Sequence, residues 1–221
     1  VVYEHQISSL YRLKAKGINP RLIIDCGCAV GDWSEVARGI FPDPPIYAFD
    51  VISYEGTAVK LPKINNLYFN VSALGAKDGE KRTFFLNKNV PLQASYHKDL
   101  CVTNEEELVV YTRTLNDWFR TYTSPELPIL MKLDTQGSEL EILEGASNLL
   151  PQTEVIILEV STISGNVGGP EFRDVVEYLW AKGFVVYDVI PSGVRGEIVA
   201  QMDVIFVPKN HPIRDVFKVV K

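Results

Sequence analysis

A chain of 221 residues, 46% apolar and 23% charged, is long enough for one α/β domain with a real core. Its net charge of −6 and isoelectric point of about 5.2 leave no basic surplus to meet a nucleic-acid backbone, so no nucleic-acid partner is expected. No apolar run reaches the ~20 residues that span a bilayer, and the amphipathic opening "VVYEHQISSLYRLKAKG" lacks the apolar stretch of a signal peptide, so no membrane partner is expected either.

The elements follow in chain order. Residues 3–16 read as a helix with Ile7, Leu10, Tyr11 and Ala15 on one face, closed by "GINP". "RLIID" is a short buried strand, "DWSEVARGIF" a helix broken by "FPDPP", and "PIYAFD" a second strand. "SYEGTAVKL" reads as a helix and "NLYFNVS" as a third strand. "AKDGEKRTFFLN" carries a D-G turn between strand-like flanks, which predicts a hairpin. "VPLQASYHKDLCVTNEEE" has no period and reads as a long functional or mobile loop. "ELVVYTRTL" is β-like, and "TLNDWFRTY" begins a helix with Thr114 as its N-cap.

Alternation then resumes. "LPILMKLD" (strand), "SELEILEGASNLL" (helix), "TEVIILEV" (strand), "GPEFRDVVEYLWAKG" (helix), "FVVYDV" and "QMDVIFVPK" (strands) complete the chain. This rhythm predicts a doubly wound, mainly parallel sheet of seven strands. "IPSGVRGEIVA" is too short for a helical crossover, so the last two strands should pair antiparallel. The reading is one domain over 1–221: an N-terminal helix (1–19), a core (20–208) and a tail (209–221). The chain opens on Val1 rather than Met, as a piece trimmed from something longer would.

The three cysteines have no disulfide-like spacing. Cys26 and Cys28 have no second ligand pair nearby, so they read as small buried thiols in a reducing, cytoplasmic setting rather than as a zinc site. Trp33, Trp118 and Trp180 read as packing residues.

Ligands of an open α/β sheet sit beyond the carboxyl ends of its strands. Four acids end strands here: Asp25, Asp50, Asp134 and Glu159. Several like charges at one edge should line a wet cleft or hold a ligand. In "IIDCGCAVGDW", Asp25 is followed by Gly27 and Gly31 in a D-x-G-x-x-x-G turn. Position 29 is Ala, so the dinucleotide fingerprint is broken, and no phosphate-binding P-loop occurs. An acid there suits an ammonium or a sulfonium; the alternative is an ordinary strand–turn–helix junction. Asp50 can accept both hydroxyls of a ribose or start the next helix. Ser72 and Ala73, small residues past the third strand, can admit an adenine ring.

In "MKLDTQGSELEILEGA", Gly137 turns the chain, Ser138 caps the helix, and Glu139 and Glu141 complement its dipole. None of this accounts for Asp134. If its strand neighbours that of Glu159, about 4.8 Å away, both carboxylates reach one small volume. Such a pair can hold a divalent metal or act as a general base. Lys132 either pairs with a cleft acid or snorkels at the edge.

"IIDCGCAVGDW", "AFD", "MKLDTQGSELEILEGA" and "IILEV", in this order, resemble the FkbM family of S-adenosylmethionine-dependent methyltransferases, over about residues 20–208. The run from Lys132 to Ala146 is the most specific piece. The resemblance implies the Rossmann-like class I methyltransferase fold, S-adenosylmethionine as cofactor, and O-methylation of a hydroxyl on a sugar or small metabolite. It implies cofactor contacts from Asp25, Gly27, Gly31, Asp50, Val51, Ser72, Ala73 and Asp134. Asp134, Glu159 or His97 would take the hydroxyl proton, and Asp134 and Glu159, with His97, make a possible set for a metal such as Mg. His97, in "LQASYHKDL", otherwise reads as a solvated loop residue; Ser95 and Tyr96 beside it are possible substrate or cofactor contacts. Two departures stand out. Gln136 occupies the place of a family acid, and Val51, not Pro, follows Asp50 where the family often has Glu. The competing readings are a non-catalytic methyltransferase-like binding domain and a nicotinamide-dependent oxidoreductase, which would need a third turn Gly and a catalytic Tyr-Lys pair. The loop 88–106 and "STISGNVGGP" would read the acceptor.

Overall fold

The computed structural model describes residues 4–54, 57–87, 94–100, 105–121 and 127–215. In chain order its elements are α1 (Glu4–Ala15), β1 (Leu22–Cys26), α2 (Asp32–Ile40), β2 (Ile46–Asp50), α3 (Thr57–Lys60), β3 (Leu67–Val71), β4 (Ala73–Leu74), β5 (Lys81–Asn87), β6 (Glu105–Arg113) and α4 (Leu115–Thr121). There follow β7 (Ile129–Leu133), α5 (Glu139–Glu144), β8 (Thr153–Ser161), α6 (Phe172–Ala181), β9 (Phe184–Arg195) and β10 (Ile198–Pro208).

Seven strands form one sheet in the order β3-β2-β1-β7-β8-β10-β9. Pairs from β3 to β8 are parallel, while β10 runs antiparallel to both β8 and β9. The doubly wound sheet with one reversed strand is therefore present. Chain order reverses between β1 and β7, which makes that point the topological switch. β1 and β7 are buried at every residue, as central parallel strands covered on both faces must be. On one face Ile24, Met131, Leu158 and Val204 pack with α4, α5 and α6; on the other Ile23, Leu130, Ile157 and Ile205 pack with α1 and α2.

Several local expectations change. α1 buries Ser9, Leu10 and Leu13, while Tyr11 is exposed, so the helix is rotated from the face its apolar residues suggested. The Asp78-Gly79 turn does not close a hairpin. β6 inserts between β4 and β5, pairing parallel with the first and antiparallel with the second. Asp78 instead accepts hydrogen bonds from the Thr114 amide (2.7 Å) and hydroxyl (3.1 Å). Thr114 does cap α4, accepting from the Asp117 amide at 3.0 Å. The helix after β2 is reduced to one turn, α3, plus a 3-10 turn at Leu61–Lys63. Trp33 and Trp118 are buried, but Trp180 is exposed under the Lys209 ammonium, which lies 3.9 Å from the ring centroid. Cys26 and Cys28 are buried free thiols; Cys101 lies outside the described residues. Among the described residues no helix is long and apolar enough to cross a membrane.

Candidate active site

A cavity of about 270 Å³ opens beyond the carboxyl ends of β1, β2 and β7. Gly27, Asp50, Val51, Ser72, Asp134 and Glu159 all line it, as the strand-end argument required. Among the described residues no Lys or Arg side chain lines it.

Asp50 ends β2 nearly buried. Its carboxylate accepts from the Ala29 amide at 2.9 Å. Burial, against the pull of backbone amides, pushes its pKa up to about 6. Gly27, at φ +78°, could not carry a side chain, because a Cβ would run into the Asp134 carbonyl oxygen. The turn after β1 therefore rests directly on the chain leaving β7, where the Asp134 amide donates to the Cys26 carbonyl at 3.0 Å.

Three of the residues expected at the cofactor stand off the cavity. Asp25 is fully buried and does not face the cavity; one oxygen accepts from the Ser34 hydroxyl at 2.6 Å. It lies in register with Lys132, one step inside the sheet edge, and desolvation raises its pKa. Gly31 also stands off the cavity: its missing Cβ makes room for Leu61. Ala73 is taken up in β4 and turned away from the cavity wall.

Asp134 and Glu159 converge as predicted, because β7 and β8 are neighbours. Gln136 ties them together: its amide donates to Asp134 Oδ1 at 3.2 Å and to Glu159 Oε2 at 2.7 Å. Lys132, 4% exposed, donates to Asp134 Oδ2 at 2.9 Å, so it pairs with a cleft acid rather than snorkelling. The two carboxyls are driven apart in acidity. Burial, the largest single influence, opposes the charge on Asp134, but Lys132 together with hydrogen bonds from Glu159 and Gln136 outweighs it and lowers the pKa. Glu159 is raised well above the ordinary range by burial and then by the Asp134 charge. Of the two, Asp134 is the stronger acid and Glu159 the weaker.

This donor set does not fit the metal expectation. The space between Asp134 and Glu159 holds the N–H face of the Gln136 amide, and Asp134's second oxygen holds the Lys132 ammonium, so donors stand where a cation would need acceptors. Among the described residues no three His, Cys, Asp or Glu side chains cluster as metal ligands. Nor does His97 join the pair. Its Nδ1 lies 3.0 Å from the Val167 carbonyl and its ring packs by Gly137, outside the cavity wall.

The segment carrying His97 acts through its neighbours. Ser95 Oγ donates to the Gln136 carbonyl at 2.6 Å, and Asn166 Nδ2 donates to the same oxygen at 2.7 Å. Tyr96 lines the cavity and donates its hydroxyl to the Leu74 carbonyl at 2.9 Å. Ser138 makes no capping bond; Glu139 folds back instead and accepts from the amides of Thr135 (2.9 Å) and Gly137 (3.1 Å). Glu139 thus holds the short loop that presents Gln136. Sequence reasoning missed Gln136 as a bridge, and missed Tyr54, Phe84 and Ile142 as lining. The misplaced amide in the "LDTQG" run was the one available signal.

A reversed strand near one end of a parallel sheet, with an acidic cavity at the switch point, defines a Rossmann-like methyltransferase. Residues 25–186 match the methyltransferase FkbM domain, and the chain belongs to that family. No curated protein matches it. Among solved structures it is similar to methyltransferase FkbM from Methylobacillus flagellatus, 14% identical with a TM-score of 0.51, over 84% of this chain and 43% of that one. It thus spans under half the length of that relative. It is also similar to the Synechocystis magnesium protoporphyrin IX methyltransferase solved with SAM (14%, TM-score 0.50, 94% and 85% covered). A third likeness is to a precorrin-6y C5,15-methyltransferase from Geobacter metallireducens (12%, TM-score 0.51, 95% and 90% covered). At such identities the structures share the fold.

Proposed function

We propose that the chain is an S-adenosylmethionine-dependent O-methyltransferase acting on a hydroxyl of a sugar or other small metabolite. The observation that carries this reading is the cavity lined by Asp50, Asp134 and Glu159 and, among the described residues, by no cationic side chain. Such a wall suits a ligand bearing a sulfonium and an ammonium, and disfavours a pyrophosphate. Asp50 would accept the ribose hydroxyls, Val51, Ser72 and Leu74 would flank the base, and Asp134 would face the positive end. When bound, S-adenosylmethionine supplies a methyl carbon already activated by its sulfonium and leaves as the neutral thioether, S-adenosylhomocysteine.

The chain's own residues then have to align a hydroxyl and remove its proton. The O–H bond breaks as the new O–C bond forms, and the proton passes to the Asp134–Glu159 pair. Asp134 is held ionised by Lys132, while Glu159, with its raised pKa, is the stronger base once it has lost its own proton. Transfer should therefore rise with pH as Glu159 ionises.

Calorimetric titration with S-adenosylmethionine and with NAD, on native protein and on Asp50→Ala, tests the cofactor. The expected outcome is binding of the first alone, weakened about tenfold or more by the substitution. Binding of NAD, or of neither, would sink the reading. Acceptor screening with and without EDTA follows, and transfer should survive the chelator because Lys132 and Gln136 occupy the cation's place.

A further inference from the structure

Behind Glu159 stands another acid that the cavity does not show. Asp203, on β10, is its direct cross-strand neighbour in the antiparallel β8–β10 ladder. Two residues along, Ile157 and Ile205 form the next pair on the same face and pack in the core against α1 and α2. Side chains two apart share a face of a sheet, so Glu159 and Asp203 both point to that side. Directly opposed residues bring their Cβ atoms to about 4.5–5.5 Å, where like charges repel. On the β7 side Leu133 pairs with Leu158, so Asp134, the next residue, comes level with Glu159. Three carboxyls therefore run in a row across β7, β8 and β10, with Glu159 in the middle.

The outer two each hold a donor that favours the charged form. Lys132 donates to Asp134 at 2.9 Å, and Gln6 of α1 donates to Asp203 Oδ2. Glu159 accepts from Gln136 at 2.7 Å and from Gln201 at 3.4 Å, but it has a carboxyl on either side. Asp203 is 2% exposed, does not line the cavity, and has no hydrogen bond to its Oδ1 among the described residues. An incompletely bonded buried carboxyl opposite a like group is unfavourable as structure alone. The adjacent Ile157–Ile205 pair shows what the same face takes where packing is all that is needed.

We propose that Asp203 is a positioning residue for methyl transfer: its carboxylate, set behind Glu159 and away from the ligand, strengthens Glu159's hold on a proton and so makes Glu159 the base that takes the acceptor's proton. The inference rests on the methyl-transfer reading above. The hydroxyl proton passes to the Glu159 carboxylate as the O–C bond forms and the methyl carbon–sulfur bond breaks, and Asp203 touches none of the reacting atoms. Burial acts most on Glu159, followed by Asp134, by Lys132 in the opposite sense, and by Asp203 and Glu139. Asp203 in turn faces Lys132 and Asp134 of β7 and Glu159 of β8, while α1 presents the uncharged Gln6 and β9 the apolar Ile190.

Carboxyl 13C NMR of Glu159 across pH, on the full chain without ligand, tests the coupling. In Asp203→Asn the Glu159 inflection should fall by about one pH unit or more, the effect of a like charge ~6 Å away at an effective dielectric of about 20. Asp203→Thr, a second neutral variant suited to a strand, should move it the same way. Calorimetry then links the acids to the cofactor. S-adenosylmethionine and S-adenosylhomocysteine differ by the sulfonium charge, so the ratio of their affinities should rise with pH as Glu159 ionises. In both variants that rise should come at lower pH, by the shift seen in the NMR. A Glu159 inflection that moves upward, or stays within about 0.3 unit of native, in whichever neutral variants fold overturns the proposal. So does an affinity ratio whose pH dependence is the same in native protein and variants. Failure of S-adenosylmethionine to bind the native protein strikes the methyl-transfer reading instead, and the ligand-free titration tells that failure from this one.

Discussion

Asp25 and Asp134 stand on neighbouring parallel strands, and both feel the same buried ammonium of Lys132, yet they end in different environments. Asp25 is in lateral register with Lys132 inside the sheet, wholly buried, with Ser34 on one oxygen and no hydrogen bond to the other. Asp134 lies two residues further along β7, past the strand end; its side chain is 30% exposed and bonded by both Lys132 and Gln136. Two residues of offset along a strand, roughly 6.6 Å, separate a structural acid from one that can meet a ligand. On this pair of strands the carboxylate that meets the cavity is the one past the last ladder pair, whereas Asp50 and Glu159 reach it from within β2 and β8.

Removing the shared cation should break the comparison most severely. Lys132→Met leaves the buried Asp25 and Asp203 and the half-buried Asp134 without their counter-charge, and should cost about 3–5 kcal/mol in urea unfolding. A loss under about 1 kcal/mol would mean that the three carboxyls are held neutral without it. A matched pair of amides sharpens the contrast next. Asp134→Asn should lower methyl transfer about 100-fold or more with the fold intact, whereas Asp25→Asn should change transfer by only about threefold and act on stability. Equal loss of transfer in both would erase the distinction.

The smallest effect is in pH dependence, and it belongs to a third acid. Asp50 has a folded pKa of about 6, above the unfolded value, so the folded state binds the extra proton. Its contribution is fully present below the unfolded pKa of ~3.9 and is lost as pH rises through about 6, a decline of roughly 2–3 kcal/mol. Unfolding of native protein and Asp50→Asn at pH 4 and pH 6.5 measures it. The native curve should fall relative to the variant over that interval, and parallel curves would show that Asp50 titrates normally.

Much of the site was legible because the rule behind it is local. A strand ends, the next residue is an acid, and the edge of a parallel sheet is where ligands sit. That reasoning located Asp50, Asp134 and Glu159 on one cavity. It failed for Asp25, Gly31 and Ala73, because side-chain direction at a strand end depends on where the ladder stops and on what packs behind it. It failed for the hairpin across Asp78-Gly79, since a turn signal does not exclude a distant strand from inserting between its flanks. His97 could not be placed from a loop without periodicity.

The sequence by itself determined the alternation of strands and helices, the antiparallel last pair, the acids at the sheet edge and the resemblance to a methyltransferase family. Each of these is written in nearest-neighbour spacing and strand length. Only the tertiary structure decided which acid faces the cavity, that Lys132 is the counter-ion of Asp134, and that Gln136 bridges the two carboxyls. Those outcomes join groups as far as 71 residues apart, from Ser95 through Gln136 to Asn166. Local pattern carries no record of such contacts, because they exist only after β7 and β8 pair and the two flanking segments close over the loop between them.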